Sequence, residues 1–350
     1  MQARAAARAC NPSLLIKMTQ FMKDAKRWLP GALISILMIT AILYFVDIPA
    51  MLAAIRAADY GILAIAMATS FLWLAVRAIV WRTLLRERAS YRDVFFTVGE
   101  GYLLNNFLPF RLGEIGRAFL LSRKSDLRFG EILPTIVIER TVDLAFSAAI
   151  LLAALPFVVD AQGAEQIGTI VGVIVLAGLV MLYILARYNK WALDLFHKMS
   201  VRWPALQRFG GSFLESFFAG LSVLTNGWLF VRFLFWMAVN WGIAIAAYYL
   251  IIRAFFPQAQ PAWGMFGLGA AAFGGAIPSL PGSFGTFEGA FGGALTLLTG
   301  DQSTSLAVAL TGHLYNYLYS GVIGGIGLIR EGQTLSGIYQ QLVKFRAKGE

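Results

Sequence analysis

Apolar residues in this chain come in long unbroken blocks separated by short charged segments, instead of the period-2 or period-3.6 spacing of a half-buried element. Blocks long enough to cross a bilayer as helices are predicted at about 29–46, 61–81, 132–155, 167–186, 229–252 and 306–329. Three further blocks are shorter. One, 94–108, has 15 residues, against the roughly 20 that a spanning helix needs. Its flanks carry Arg82, Arg86, Arg88 and Arg92 before it and Arg111, Arg117, Arg123, Lys124 and Arg128 after it. Two basic flanks belong on the same, cytoplasmic face, so the segment is expected to enter the membrane and turn back. The other two, 263–277 and 284–298, are joined by residues 278–283 and predict a second re-entrant hairpin from the opposite face.

The fold class expected is therefore all-α: a polytopic integral membrane protein with about six full transmembrane helices and two re-entrant helical hairpins. Eight complete spans, two of them short, is the alternative. The order span, hairpin, span occurs at 61–155 and again at 229–329 in opposite orientation, the pattern of an inverted-repeat transporter whose broken helices meet near the bilayer midplane. Residues 1–28 and 331–350 are expected as cytoplasmic tails around a transmembrane domain at 29–330, and residues 47–59 as a short loop. Met18 is an alternative start, and 209–225 reads as an interfacial helix carrying Phe213, Phe217, Phe218 and Leu221.

Composition agrees: 58% of residues are hydrophobic, 14% are charged and the mean hydropathy is +0.68, far from soluble averages. The net charge of +10 raises the question of nucleic acid, but 25 of the 29 Lys and Arg residues fall in the expected cytoplasmic segments or at their borders. The excess is topological, and no nucleic-acid partner is needed to explain it. That distribution places the protein in the cytoplasmic (inner) membrane with both termini inside. Cys10 is the one cysteine, and His197 and His313 are the two histidines, so a disulfide, a metal centre and a cofactor are not expected.

Three polar motifs interrupt the apolar pattern. The first is Asn105-Asn106-Phe-Leu-Pro-Phe-Arg111-Leu-Gly-Glu114-Ile-Gly-Arg117. On a helix beginning after Pro109, Arg111, Glu114 and Arg117 would share one face, and arginine forks suit phosphate oxygens; a surface amphipathic helix is the plain alternative. The second, Glu139-Arg140-Thr-Val-Asp143, lies inside a span. Three charges at membrane depth must pair, around a polar cavity or in a network that only locks helices. Arg140 reaches Asp143 one turn on, leaving an acid for Arg111 or Arg117. The third runs from Pro278 through Pro281, Gly282, Ser283 and Gly285 to Glu288, in a region where residues 264–300 hold 11 of the 35 glycines. A helix starting near Ser283 would offer an anion-binding N-terminus, while Gly285, Gly289 and Gly293 at four-residue spacing also suit close helix packing. His313, Tyr315, Asn316 and Tyr319 form a weaker polar cluster.

In these three motifs, in their order and spacing, the chain resembles the lysylphosphatidylglycerol synthase transmembrane, or flippase-like, family over about residues 30–330. The resemblance implies a membrane domain that moves a lipid across the bilayer. In two-domain relatives a soluble domain attached after it makes an aminoacylated lipid; no such domain is expected in this chain, and the synthase activity is not carried over. Where the family pattern has a second glycine after Pro281-Gly282, this chain has Ser283. The leading expectation is a translocase for a phospholipid or polyprenyl-linked glycolipid, bound through the residues of the three motifs. The alternative is a non-transporting accessory or scaffold protein, partnered with enzymes of a cell-envelope, glycolipid or hopanoid pathway. An intramembrane enzyme is disfavoured, because no Gly-x-Ser-x-Gly, no His-Glu-x-x-His and no nucleophile with a nearby base occurs.

Overall fold

The computed structural model describes residues 33–158 except 41, 43, 45, 109 and 110, the isolated positions 173, 177, 184, 188, 191, 194 and 198, and residues 226–348 except 278, with side chains to 341. Ten α-helices among the described residues carry the argument. They are α1 (Ile48–Ala57), α2 (Tyr60–Leu84), α3 (Tyr91–Phe107), α4 (Leu112–Lys124), α5 (Phe129–Val158), α6 (Gly227–Phe255), α7 (Pro261–Ala276), α8 (Thr286–Thr299), α9 (Gln302–Arg330) and α10 (Leu335–Lys348). The helices begin where a short polar side chain can satisfy the first free N–H groups. Asp47, Asp59, Ser90, Asn226 and Asp301 cap α1, α2, α3, α6 and α9.

Helices α2, α5 and α6, of 25, 30 and 29 residues, are long and apolar enough to cross a membrane. Helix α9 matches them in length at 29 residues. Between the long helices lie two broken elements: α3 and α4, of 17 and 13 residues, and α7 and α8, of 16 and 14. Neither half of either is long enough to cross by itself. The order long helix, two short helices, long helix thus occurs twice along the described chain, and the protein is an all-helical, multi-pass membrane protein.

Helix α9 shows how the two halves fit. At its C-terminal end it packs on α3 so closely that a Cβ on Gly324 would lie 2.6 Å from the Gly99 carbonyl oxygen, and Arg330 stacks over the Phe96 ring at 4.4 Å. Its N-terminal half receives α8, with Gly292 against Ser305 and Ala309, and Phe291 against Gly312. The hairpins therefore approach α9 from opposite ends. Their tips meet near its middle, where Asn106 donates to Ser320 at 2.8 Å and Tyr317 donates to the Asn106 carbonyl at 3.3 Å. Helices α2 and α6 lie antiparallel beside this core, the start of one tied to the end of the other by the Asp59 N–H to Ala254 carbonyl bond at 2.9 Å.

Two expectations change. Residues 47–59 hold a helix, α1, because Asp47 caps it and Pro49 sits in its first turn, where a missing N–H costs nothing. Residues 331–350 include α10, an amphipathic helix that places Ile338 in an apolar cluster with Leu103, Leu104, Leu120 and Leu328. Of the first span, 33–40, 42 and 44 are helical. The expected span 167–186 and interfacial helix 209–225 lie outside the described residues, isolated positions apart.

Candidate functional site

A cavity of about 400 Å³ opens between α2, α5, α6, α7 and α9 beside the hairpin tips. Its wall combines aromatic rings, among them Trp73, Tyr102, Trp241 and Tyr248, with four charged side chains, Arg77, Arg111, Arg140 and Asp143.

Behind the wall the charges converge on one atom. Glu139, fully buried on α5, accepts at Oε1 from Arg77 at 2.7 Å, from Arg140 at 2.8 Å and from Arg117 at 3.1 and 3.2 Å. Three guanidinium groups surround one carboxylate, and the remaining acids neutralise the outer arginines. Asp143 accepts from Arg77 Nη1 at 2.8 Å, from Arg77 Nη2 and from Trp241 Nε1 at 3.2 Å, and lies 3.4 Å from Arg140. Glu114 lies 3.5 Å from both Arg117 and Arg140. Arg117 is also held over the Trp81 ring at 4.3 Å. Buried charge is tolerable only when paired, although Glu139 Oε2 and the Nε atoms of Arg77, Arg117 and Arg140 have no hydrogen-bond partner among the described residues.

Arg111 behaves differently. The sequence pattern places it on the face of α4 with Glu114 and Arg117, but the chain adopts the left-handed conformation there (φ 52°), and Arg111 precedes the helix as its N-cap. Its guanidinium turns away to donate to the Gly275 carbonyl at the end of α7. It forms no ion pair with a carboxylate among the described residues. It thus joins the tip of one hairpin to the other and brings a cation to the cavity wall. Four arginines face three carboxylates in this group, and the site carries a positive excess.

The other candidates from the sequence are distributed as follows. Asn105 donates to Glu114 at 3.4 Å, and Asn106 serves the tip contact with Ser320; neither lines the cavity. Pro281, Gly282 and Ser283 form a single 3-10 turn at the second tip, with Gly282 (φ 74°) tight against the Tyr317 hydroxyl. Ser283 is also left-handed (φ 62°), at the position where a glycine would be unstrained. Gly285 caps α8, and its N–H donates at 2.7 Å to Glu288, which is buried and also bonded to His313. Pro281, Gly282, Ser283, Gly285 and Glu288 are not in the cavity wall; their neighbours Gly275 and Phe287 are.

Sequence reasoning missed Arg77, Asn240 and Trp241. Arg77 is a lone cation in an otherwise apolar block, and that alone is a signal at membrane depth. Asn240, which accepts from Arg77 at 3.3 Å and donates to the Trp73 carbonyl at 2.9 Å, gave no pairwise pattern to find. Among the described residues no cluster of His, Cys, Asp and Glu could hold a metal ion.

The sequence profile of the lysylphosphatidylglycerol synthase TM region matches residues 28–324. The chain belongs to this family. The match spans the first described helical turns, both hairpins and most of α9, so the charged cavity lies wholly within the lysylphosphatidylglycerol synthase TM region. No curated protein and no solved structure matches the chain.

Proposed function

We propose that this protein is a lipid translocase of the cytoplasmic membrane, with both termini inside, that carries a phospholipid or polyprenyl-linked glycolipid by its phosphate. The observation that carries this reading is Arg111, a cation on the cavity wall without a carboxylate partner among the described residues, where two half-membrane hairpins meet. A planar guanidinium there can grip phosphate oxygens in pairs. Arg77 and Arg140 extend the positive wall, Asp143 and Glu139 hold them in place, and the aromatic rings give an apolar surface for the rest of the headgroup. A cavity of about 400 Å³ fits a headgroup, not acyl chains, so the chains stay in the surrounding lipid while the headgroup crosses.

The test is reconstitution into vesicles with fluorescent phospholipids and polyprenyl phosphates. Transbilayer movement above that of empty vesicles, lost in Arg111→Ala while the protein remains inserted, is the expected result; movement unchanged in Arg111→Ala rejects the site. One observation favours a second reading, a scaffold for envelope-biosynthesis enzymes: Glu139 by itself accepts from three arginines on three helices and so ties α2, α4 and α5 together. In that case no lipid moves at all, with or without the substitution.

A further inference from the structure

Glu288 and His313 form a pair that the arginine site does not use. His313 Nδ1 meets Glu288 Oε1 at hydrogen-bonding contact, and both side chains are buried. Oε2 of Glu288 accepts from the Gly285 N–H at 2.7 Å in the first turn of α8. The other imidazole nitrogen, Nε2, is buried and has no hydrogen-bond partner among the described residues. The ring is boxed by Phe284, Phe287 and Tyr317 at centroid distances of 4.7, 5.0 and 5.2 Å.

The titratable and charged groups placed against the imidazole among the described residues are few. Helix α8 contributes Glu288, and α9 contributes Tyr317. The 3-10 turn and the segment at 35–39, which packs on Gly285, contribute Phe284, Ser35, Met38 and Ile39, none of which titrates. No lysine or arginine among the described residues pairs with Glu288. The pair therefore holds a net negative charge without a proton and is neutral with one. The positive end of α8 and the Gly285 N–H face the Glu288 carboxylate, and the unpartnered Nε2 is the open basic position of the pair.

The pair also sits one residue from the cavity. Phe287 precedes Glu288, Gly312 precedes His313, and both line the wall. A phosphate anion entering the cavity meets the like charge of Glu288 through little more than a ring, in a medium that screens poorly. A proton on the pair removes that repulsion. We propose that Glu288 and His313 form a proton-binding site that loads together with the anionic headgroup. This rests on the translocase reading above for the ligand, but the proton site itself does not depend on it.

The experiment has two arms on the full chain in detergent. The first is a potentiometric difference titration, without lipid, of the parent against His313→Gln. Glutamine keeps a donor for Glu288 but does not titrate, and Glu288→Gln is the second variant. One proton fewer bound over the titration is expected in His313→Gln; identical curves for the parent and both variants overturn the proposal. The second arm measures binding of a short-chain phosphatidylglycerol, whose phosphodiester does not titrate near neutral pH. Parent affinity should be about tenfold tighter at about pH 6 than at about pH 8, and His313→Gln should bind with little pH dependence. A pH slope unchanged in both variants overturns the coupling. If the difference titration shows the proton but the parent binds no lipid at any pH, the cavity reading fails and the proton site stands.

Discussion

Arg77 of α2 and Asp143 of α5 face each other through two parallel hydrogen bonds, one of them at 2.8 Å, between helices separated by two half-membrane segments in the chain. This pairing changes which substitution separates a structural network from a binding site. Asp143 and Arg140 are 3.4 Å apart, so the bidentate partner of Asp143 is Arg77, and Arg140 keeps Glu139 and Glu114 when Asp143 is removed.

Asp143→Leu should accordingly destabilise the protein by roughly 1 to 3 kcal/mol, because buried Arg77 loses its fork partner and keeps only the Glu139 carboxylate, and Arg77→Met with Asp143→Leu should recover much of that loss. Thermal unfolding in detergent for both single variants and the double measures the coupling. If the double variant regains stability but not lipid movement, the charges serve the ligand; if both return together, the pair is structural.

Arg111→Lys should lose most lipid movement at normal yield. Lysine keeps the charge but not the planar fork, and Arg111 lies outside the network around Glu139. Parallel loss of yield and movement would instead mark Arg111 as a strut between the hairpins.

Ser283→Gly should be neutral or stabilising by about 1 kcal/mol, since it relieves a left-handed residue at the cost of a long 3.3 Å bond to the Gly275 carbonyl. A fall in thermal midpoint would show that the serine hydroxyl matters more than the backbone.

Gly324→Ala should cost roughly 1 to 3 kcal/mol, as its Cβ would meet the Gly99 carbonyl oxygen at 2.6 Å. Gly325→Ala, with open space around the added Cβ, is the control and should not destabilise. Equal midpoints for the two would mean that α3 and α9 are less closely packed than described.

Orientation is tested with single cysteines in a Cys10→Ser background. Asp126→Cys, between α4 and α5, should react only with reagent on the cytoplasmic side, and Asp301→Cys, between α8 and α9, only with reagent added outside. External labelling at 126 would reject the proposed topology.

Block length made the long helices and both hairpins legible, because a bilayer imposes a fixed crossing length and a helix that stops short of it stands out. Basic flanks added the entry face. The motif at 139–143 announced a buried network, since two carboxylates and an arginine within five residues inside a span need partners. Arg77 stayed hidden because its partners lie 62 and 66 residues away, and no local spacing encodes that. The orientation of Arg111 was hidden for a different reason: one left-handed residue before α4 rotates it off the face that its spacing implies. Glu288 looked like a ligand group from its position one turn into a helix, and the same position makes it a cap.

The meeting of two hairpin tips at the middle of α9 also exposes the proposed transport step to the membrane voltage. Charge carried across the whole bilayer gains or loses about 2.3 kcal/mol per elementary charge for each 100 mV. A bare anionic headgroup passing the tips works with or against that field, whereas a headgroup that travels with a proton does not.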